Sequence, residues 1–225
     1  MTSESEGGGS PSARSASEVL CSNLSEGLHA VAQPLTILRA SLSNPDTDQM
    51  SAGELRKLTA LSAEEVERVC KLFDNLRDLV RFENTKAHLS STPILPLLAD
   101  VVGGVKLLCE EDGILLNSIV PDTCQPVFID RARTLQALSS VLLIAHGVSQ
   151  KLDTVEVIVT SPTSNTVQLV VRNLNARVES MNEEARLDLA LVEANIRSQR
   201  ANFSCGLEPF SIRIELPSAP IIDSH

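Results

Sequence analysis

Leu28-His29-Ala30-Val31-Ala32-Gln33-Pro34-Leu35-Thr36 sets a histidine five residues before a proline, inside a stretch of helical periodicity. Outward from it, Leu24, Leu28, Val31, Leu35, Leu38 and Leu42 recur at alternating steps of four and three. That is the seam of a helix packed against partner helices. Pro34 falls in the middle of the seam. An interior proline removes a backbone hydrogen bond and costs about 3 kcal/mol, so a helix carrying one is expected to keep its kink for a purpose. His29 stands one residue past Leu28, about 100° round the helix, which turns its imidazole outward at the edge of the packed face. An imidazole near solvent is neutral and nucleophilic around pH 7, as acceptance of a phosphoryl group requires.

The 225 residues allow one large or two small domains with a real core. No apolar run approaches a membrane span, and the polar Ser/Gly/Glu start has no signal-peptide core. Residues 1–16 read as a disordered tail. The five cysteines, Cys21, Cys70, Cys109, Cys124 and Cys205, are odd in number and scattered. They fit reduced thiols of a cytoplasmic protein better than a disulfide frame or zinc site. A net charge of −10 argues against a nucleic-acid surface, and the absence of Trp and Tyr against stacking platforms. No membrane partner is expected either. No His, Cys or carboxylate group has metal-ligand spacing.

The first half reads as helical. One helix spans about 17 to 44 and ends at Asn44-Pro45-Asp46, because the residue before a proline avoids the helical region. Ser51 caps a second helix, with Glu54 completing a capping box. Its apolar positions include Leu55, Leu58, Val66, Val69, Phe73, Leu76 and Val80, and Glu64-Glu65-Val66-Glu67-Arg68 reads as a solvated face. Two such helices make a hairpin with one apolar face too many for a monomer, so a homodimer closing a four-helix bundle is expected.

The character changes after Lys86. A helix from Leu97 to Glu111 precedes Gly113-Ile114-Leu115-Leu116, a strand Val127-Phe128-Ile129 follows, and Asp130 caps a helix to about Ser149. Two alternating runs, Val155 to Val159 and Val167 to Val171, flank a turn at 161–165. A helix from Asn182 to Arg200 and a strand from Phe210 to Leu216 close the chain. The expected fold class is α+β, with helices covering one face of a mixed sheet. His146 reads as a core-edge histidine, and His88 and His225 as loop and tail residues. Asn202-Phe203-Ser204 fits a glycosylation pattern that a cytoplasmic chain would not use.

In this order the pieces resemble the transmitter half of a sensor histidine kinase: a dimerisation and phosphoacceptor hairpin, then an ATP-binding domain of the Bergerat type. His29 to Leu35 resembles the family's H-E-x-x-Q-P-L box. Gly113 to Leu116, Asp130 and Leu135-Gln136-Ala137-Leu138 match its approach to the nucleotide site, and Phe210 to Pro217 its last strand. The implied layout is a hairpin at 17–88, a degenerate ATPase-like α/β sandwich at 89–218 and a tail at 219–225.

The departures matter more than the matches. Ile144 stands where the family places a metal-binding Asn, and isoleucine offers no oxygen to Mg²⁺. Asn173 replaces the acid that would hold the adenine amino group, and Asn175 and Arg177 replace glycines. Arg186 and Asp188 replace two more, where backbone amides would approach phosphate. The span between these boxes is short for a nucleotide lid. Ala30 replaces the acid that assists attack on ATP. The resemblance therefore implies that ATP binding is lost and that this chain binds no cofactor of its own.

The resemblance points to the kinase-shaped, stand-alone histidine phosphotransferases of phosphorelays, with His29 relaying phosphoryl groups between response-regulator receiver domains. The Mg²⁺ of that reaction is expected on the receiver. Ser22, Ser25, Glu26, Ala32 and Thr36 share the helical face of His29 and are candidates for docking the partner. Gln33 is either a residue that positions water against a receiver's aspartyl phosphate or a plain surface glutamine. The alternative function is a non-catalytic pseudo-histidine kinase that binds a receiver or a partner kinase.

Overall fold

The computed structural model describes residues 16–43, 50–176 and 183–219. Residues 1–15 and 220–225 of the expected tails, with His225, the Asn44-Pro45-Asp46 break and residues 177–182 with Arg177 lie outside the described residues. Ala16 already begins the first helix and the Ala219 amide donates to Pro126 O at 2.7 Å, so neither belongs to a tail. Helices α1 (Ala16–Leu42) and α2 (Ala52–Asn84) form the hairpin. The capping box is present in both directions: Ser51 Oγ accepts from the Glu54 amide at 3.3 Å, and Glu54 Oε2 accepts from the Ser51 amide at 2.8 Å.

The α1 seam divides. Ala30, Val31 and Pro34 are buried, with Leu20 and Leu24 packed beside them, whereas Leu28, Leu35 and Leu42 are 59, 47 and 72% exposed. The buried stripe is turned toward Gly27, Ala30 and Pro34 because a third helix approaches on that side. On α2, Leu72, Leu76, Leu79 and Phe82 are buried, and Val66, Phe73 and Val80 are exposed at seven-residue intervals. The charge run also departs from expectation: Glu64 and Glu67 face solvent, but Arg68 is half-buried on a carboxylate of that third helix.

Beyond the hairpin follow β1 (Ser90–Thr92), α3 (Ile94–Glu111), β2 (Leu115–Ile119), β3 (Val127–Ile129), α4 (Arg131–Gly147), β4 (Thr154–Thr163), β5 (Thr166–Asn173), α5 (Glu183–Ser198), β6 (Asn202–Leu207) and β7 (Phe210–Pro217). Five strands form a mixed sheet in the order β2-β4-β5-β7-β6, parallel only between β2 and β4. Alternation decides its inner face: Val155, Val157, Val159, Val167, Leu169, Val171, Ile212 and Ile214 are buried against α3, α4 and α5.

Helix α3 starts earlier than predicted, since Pro96 lies in its first turn, where a missing amide breaks no intrahelical bond. It ends on Gly113 at φ +71°, with Ile114 N bonded to Cys109 O at 2.8 Å and Gly113 N to Glu110 O at 3.1 Å. Glycine takes that left-handed turn at little cost. The sequence reading contains neither β1 nor β6. β1 is Ser-Ser-Thr with no apolar alternation, and it draws β3 out of the main sheet into a two-stranded ladder.

A buried polar knot joins the hairpin's end to the sheet unit. Arg133 Nη2 donates to Thr85 Oγ1 at 2.6 Å, Nη1 donates to Ser198 Oγ at 2.9 Å, and the guanidinium lies 5.1 Å from the Phe82 ring centre. Gln199 Oε1 accepts from Asp130 N at 2.8 Å and Thr134 Oγ1 at 2.9 Å, and Asn195 Nδ2 donates to Arg133 O at 2.9 Å. Asp130 caps α4 as predicted, accepting from Arg133 N at 3.1 Å, and also holds His88 N at 3.0 Å.

Burial pushes the Asp130 carboxyl up, but these amides and the Arg133 charge together bring it below its ordinary value of 3.8. A carboxyl lowered on folding adds stability above its unfolded pKa and loses it as pH falls through the folded one. Denaturant unfolding between pH 6 and pH 2.5 should therefore show an acid loss that steepens below about pH 4 and that Asp130→Asn flattens. Identical acid limbs would show that Asp130 is uncoupled from folding.

Candidate functional site

His29 and the six residues predicted to share its face, Ser22, Ser25, Glu26, Ala32, Gln33 and Thr36, are all exposed. They form one open stripe over four turns of α1, on the side opposite Val31 and Pro34. The short side chains keep it low. Thr36 Oγ1 donates back to Ala32 O at 2.8 Å, so that hydroxyl is spent within the helix. Pro34 offers no amide to the Ala30 carbonyl four residues earlier. Its ring is buried, so the proline is part of the packing that faces away from His29.

The other predicted positions lie at the sheet unit. Ile144 is buried in the core on α4. Asn173, at the end of β5, is fully buried, and its side chain is spent within the protein. Its Nδ2 donates to Ser149 Oγ at 2.8 Å and to Asp153 Oδ2 at 2.9 Å. Its Oδ1 accepts from the amides of Asn175 at 3.0 Å and Ala176 at 3.1 Å. The Gln150 amide, then the Asn173 side chain, hold the Asp153 carboxyl below its usual range. An amide rather than an acid is required at 173, since a carboxylate would face Asp153. Asn175 and Arg186 are exposed.

Asp188 lies elsewhere in chemical terms. Its Oδ1 accepts from Asn75 Nδ2 at 2.6 Å, and its Oδ2 is 3.4 Å from Lys71 Nζ, both on α2. One turn earlier, Glu184 meets Arg68 Nε at 2.8 Å and Lys71 Nζ at 3.5 Å. Burial between the helices pushes the Asp188 carboxyl up, against the pull of Lys71. Below this layer, Leu187 and Leu191 share a core with Ala30, Val31, Leu72, Leu76, Leu79 and Phe82.

The structure brings His29 and its stripe together on one exposed face; Arg68, Lys71, Asn75 and Arg133 are not picked out by the sequence. Each reads locally as a surface residue of a helix. The one available signal was the excess of apolar residues on α5, whose Leu187 and Leu191 fall on a different face from Val192 and Ile196. His146 is half-buried, with Nε2 2.8 Å from Asp112 Oδ2, as a core-edge histidine should be. Among the described residues, no group of His, Cys, Asp and Glu could hold a metal ion. Nor is any helix among them long and apolar enough to cross a membrane.

No family model matches the chain, and no curated protein matches it. Solved structures do. Histidine kinase AdeS of Acinetobacter baumannii matches with a TM-score of 0.70 at 18% identity, over 85% of this chain and 98% of that one. Histidine kinase ThkA, solved in complex with the response regulator protein TrrA, matches at 0.72 and 14% identity. That match covers 90% of this chain and 63% of that one. A histidine kinase from Burkholderia phymatum matches at 0.51 and 19%, over 86% and 98%. The fold is therefore that of a histidine kinase transmitter, a helical hairpin followed by an α/β unit with a mixed sheet.

The Asn173 geometry can be tested directly. Asn173→Asp turns a donor into an acceptor beside Asp153 and should cost about 1–3 kcal/mol at pH 7, read from the urea midpoint. The cost should shrink in Asn173→Asp/Asp153→Asn, which restores a donor to the pair. A neutral single substitution would show that the Asp153 contact carries no weight.

Proposed function

We propose that the chain is a histidine phosphotransferase that relays phosphoryl groups between response-regulator receiver domains through His29, without binding ATP. One contrast carries the reading: the His29 face is open, whereas the side chain at the adenine-binding position, Asn173, has its donors and acceptor occupied inside the protein. The residues present do not fit a nucleotide. Ile144 has no donor atom for its metal, and Asp188 puts a carboxylate, held by α2, where phosphate would need bare amides. ThkA, a structure of the same fold, was solved with a response regulator, which supports a receiver as the partner.

In the relay, a lone pair on the His29 imidazole attacks the phosphorus of the receiver's aspartyl phosphate. The bond from phosphorus to the aspartyl oxygen breaks, and its electron pair stays on the carboxylate. The imidazolium then gives the proton on its other nitrogen to water. Transfer to a second receiver is the reverse. The Mg²⁺ that screens the phosphoryl charge belongs to the receiver's acidic pocket. Ala30 suffices beside His29 because the donor's leaving group is a stabilised carboxylate. In this reading a receiver helix docks on the open stripe from Ser22 to Thr36, and the exposed Gln33 orients water there.

A second copy of the chain covers the apolar rows left open on the hairpin. Leu28, Leu35 and Leu42 on α1 and Val66, Phe73 and Val80 on α2 keep the same seven-residue spacing, so a homodimeric four-helix bundle buries both. The hairpin at 17–88 then provides transfer and dimerisation, and the unit at 89–218 is an ATPase-like domain put to another use.

Receiver domains of the source organism, charged with acetyl [³²P]phosphate, should label the wild type and leave His29→Ala unlabelled. Calorimetry with Mg·ATP should show no binding heat. Label retained by His29→Ala would overturn the assignment. Receiver binding without any labelling would favour the non-catalytic pseudokinase. Sedimentation should show a dimer, and Phe73→Glu should shift it to monomer; a monomeric wild type would sink the bundle.

A further inference from the structure

Helix α5 meets both halves of the chain immediately behind the histidine. Gly27, two residues before His29, is buried where α1, α2 and α5 converge. A Cβ at Gly27 would overlap Leu76 Cδ2 and lie 3.1 Å from Leu187 Cδ1. With no side chain at Gly27, α1 comes this close to both neighbours without displacing the ends of these leucines. Ala30 and Val31, the residues just after His29, rest on the core that Leu187 and Leu191 of α5 help build. Glu184 and Asp188 flank that contact with four carboxylate bonds to Arg68, Lys71 and Asn75.

A domain that delivered a phosphoryl group to His29 would have to reach the exposed stripe. A domain that blocked the histidine would cover that stripe. This one does neither: it holds α1 from behind, and every residue from Ser22 to Thr36 on the histidine face stays open while α5 is seated. The Arg133 knot fastens the same unit at the far end of α2. We infer that the α/β unit is a fixed brace for the phosphoacceptor helix, and that Lys71, Asn75, Asp188 and Gly27 are positioning residues that hold His29 in line for a docked receiver through α5. Asp188 has exchanged the place of a phosphate-loop glycine for this structural task. The inference rests on the phosphotransfer reading for its kinetic consequence, but not for its mechanical one.

Lys71→Glu sets a carboxylate against Glu184 and Asp188 and should unseat α5 without touching the histidine face. In the full-length protein, amide exchange of residues 27–31 should then quicken by about tenfold. The maximal rate of labelling from acetyl-phosphate-charged receivers should fall by a similar factor, with the receiver concentration for half-maximal rate little changed. Lys71→Glu/Asp188→Lys rebuilds that pair with its signs reversed and, with Glu184 still acidic beside position 71, should restore both in part. Should Lys71→Glu fail to fold, Lys71→Met, which removes only the cation facing Glu184 and Asp188, should give a smaller change in the same direction. Unchanged exchange at 27–31 in Lys71→Glu, or no recovery in the double variant, would overturn the brace. If the wild type accepts no label at all, phosphotransfer fails, and the exchange data still decide the brace by themselves.

Discussion

Helix α5 belongs to two cores at once, and the arrangement of the molecule depends on that. Val192 and Ile196 close the core beneath the sheet, while Leu187 and Leu191 enter the core of the hairpin. An amphipathic helix on a protein surface has one apolar stripe and a polar back. Here the back is apolar too, so α5 is stable only when something covers it. The hairpin does so, and in return gains a third helix against a pair that would otherwise be thinly packed. The relative placement of the two units follows from this shared burial, and the polar contacts around it fix the register.

Those polar contacts differ in kind. In the Glu184 and Asp188 pairs the carboxylates are mostly buried but Lys71 and Arg68 keep contact with solvent, so each pair alone is worth little, and their value is directional. The Arg133 knot is buried, and its guanidinium, Gln199 and Asn195 have partners. Breaking one member of such a network leaves a desolvated group without compensation. The first set thus selects which turn of α5 meets α2, and the second resists separation once it has.

Much of this was legible in the sequence wherever the information is local. The Ser51–Glu54 box, the Asp130 cap and the period-two runs of β4 and β5 are each written within a few residues, and each forms. The outward turn of His29 also follows from helical geometry alone. What failed was whatever depends on a distant partner. β1 and β6 exist because β3 and β7 pair with them, not because Ser90–Thr92 or Asn202–Leu207 carry strong strand signals. Leu28 and Leu35 seemed equivalent to Leu24 and Val31 until a helix some 160 residues away in sequence settled on one side of α1. Asp188 read as a damaged glycine box; nothing near it in the chain points to Lys71.

The connection between the two units is short: only residues 85–89 separate α2 from β1, with Thr85 held by Arg133 and His88 by Asp130. A tether of that length keeps the two faces at an effective concentration of order millimolar. Contacts that would join separate molecules with a dissociation constant of about 10 µM would then leave about one molecule in a hundred undocked. The interface has no need of the strength of a permanent complex. The five-residue strap supplies by proximity what the ion pairs lack in energy.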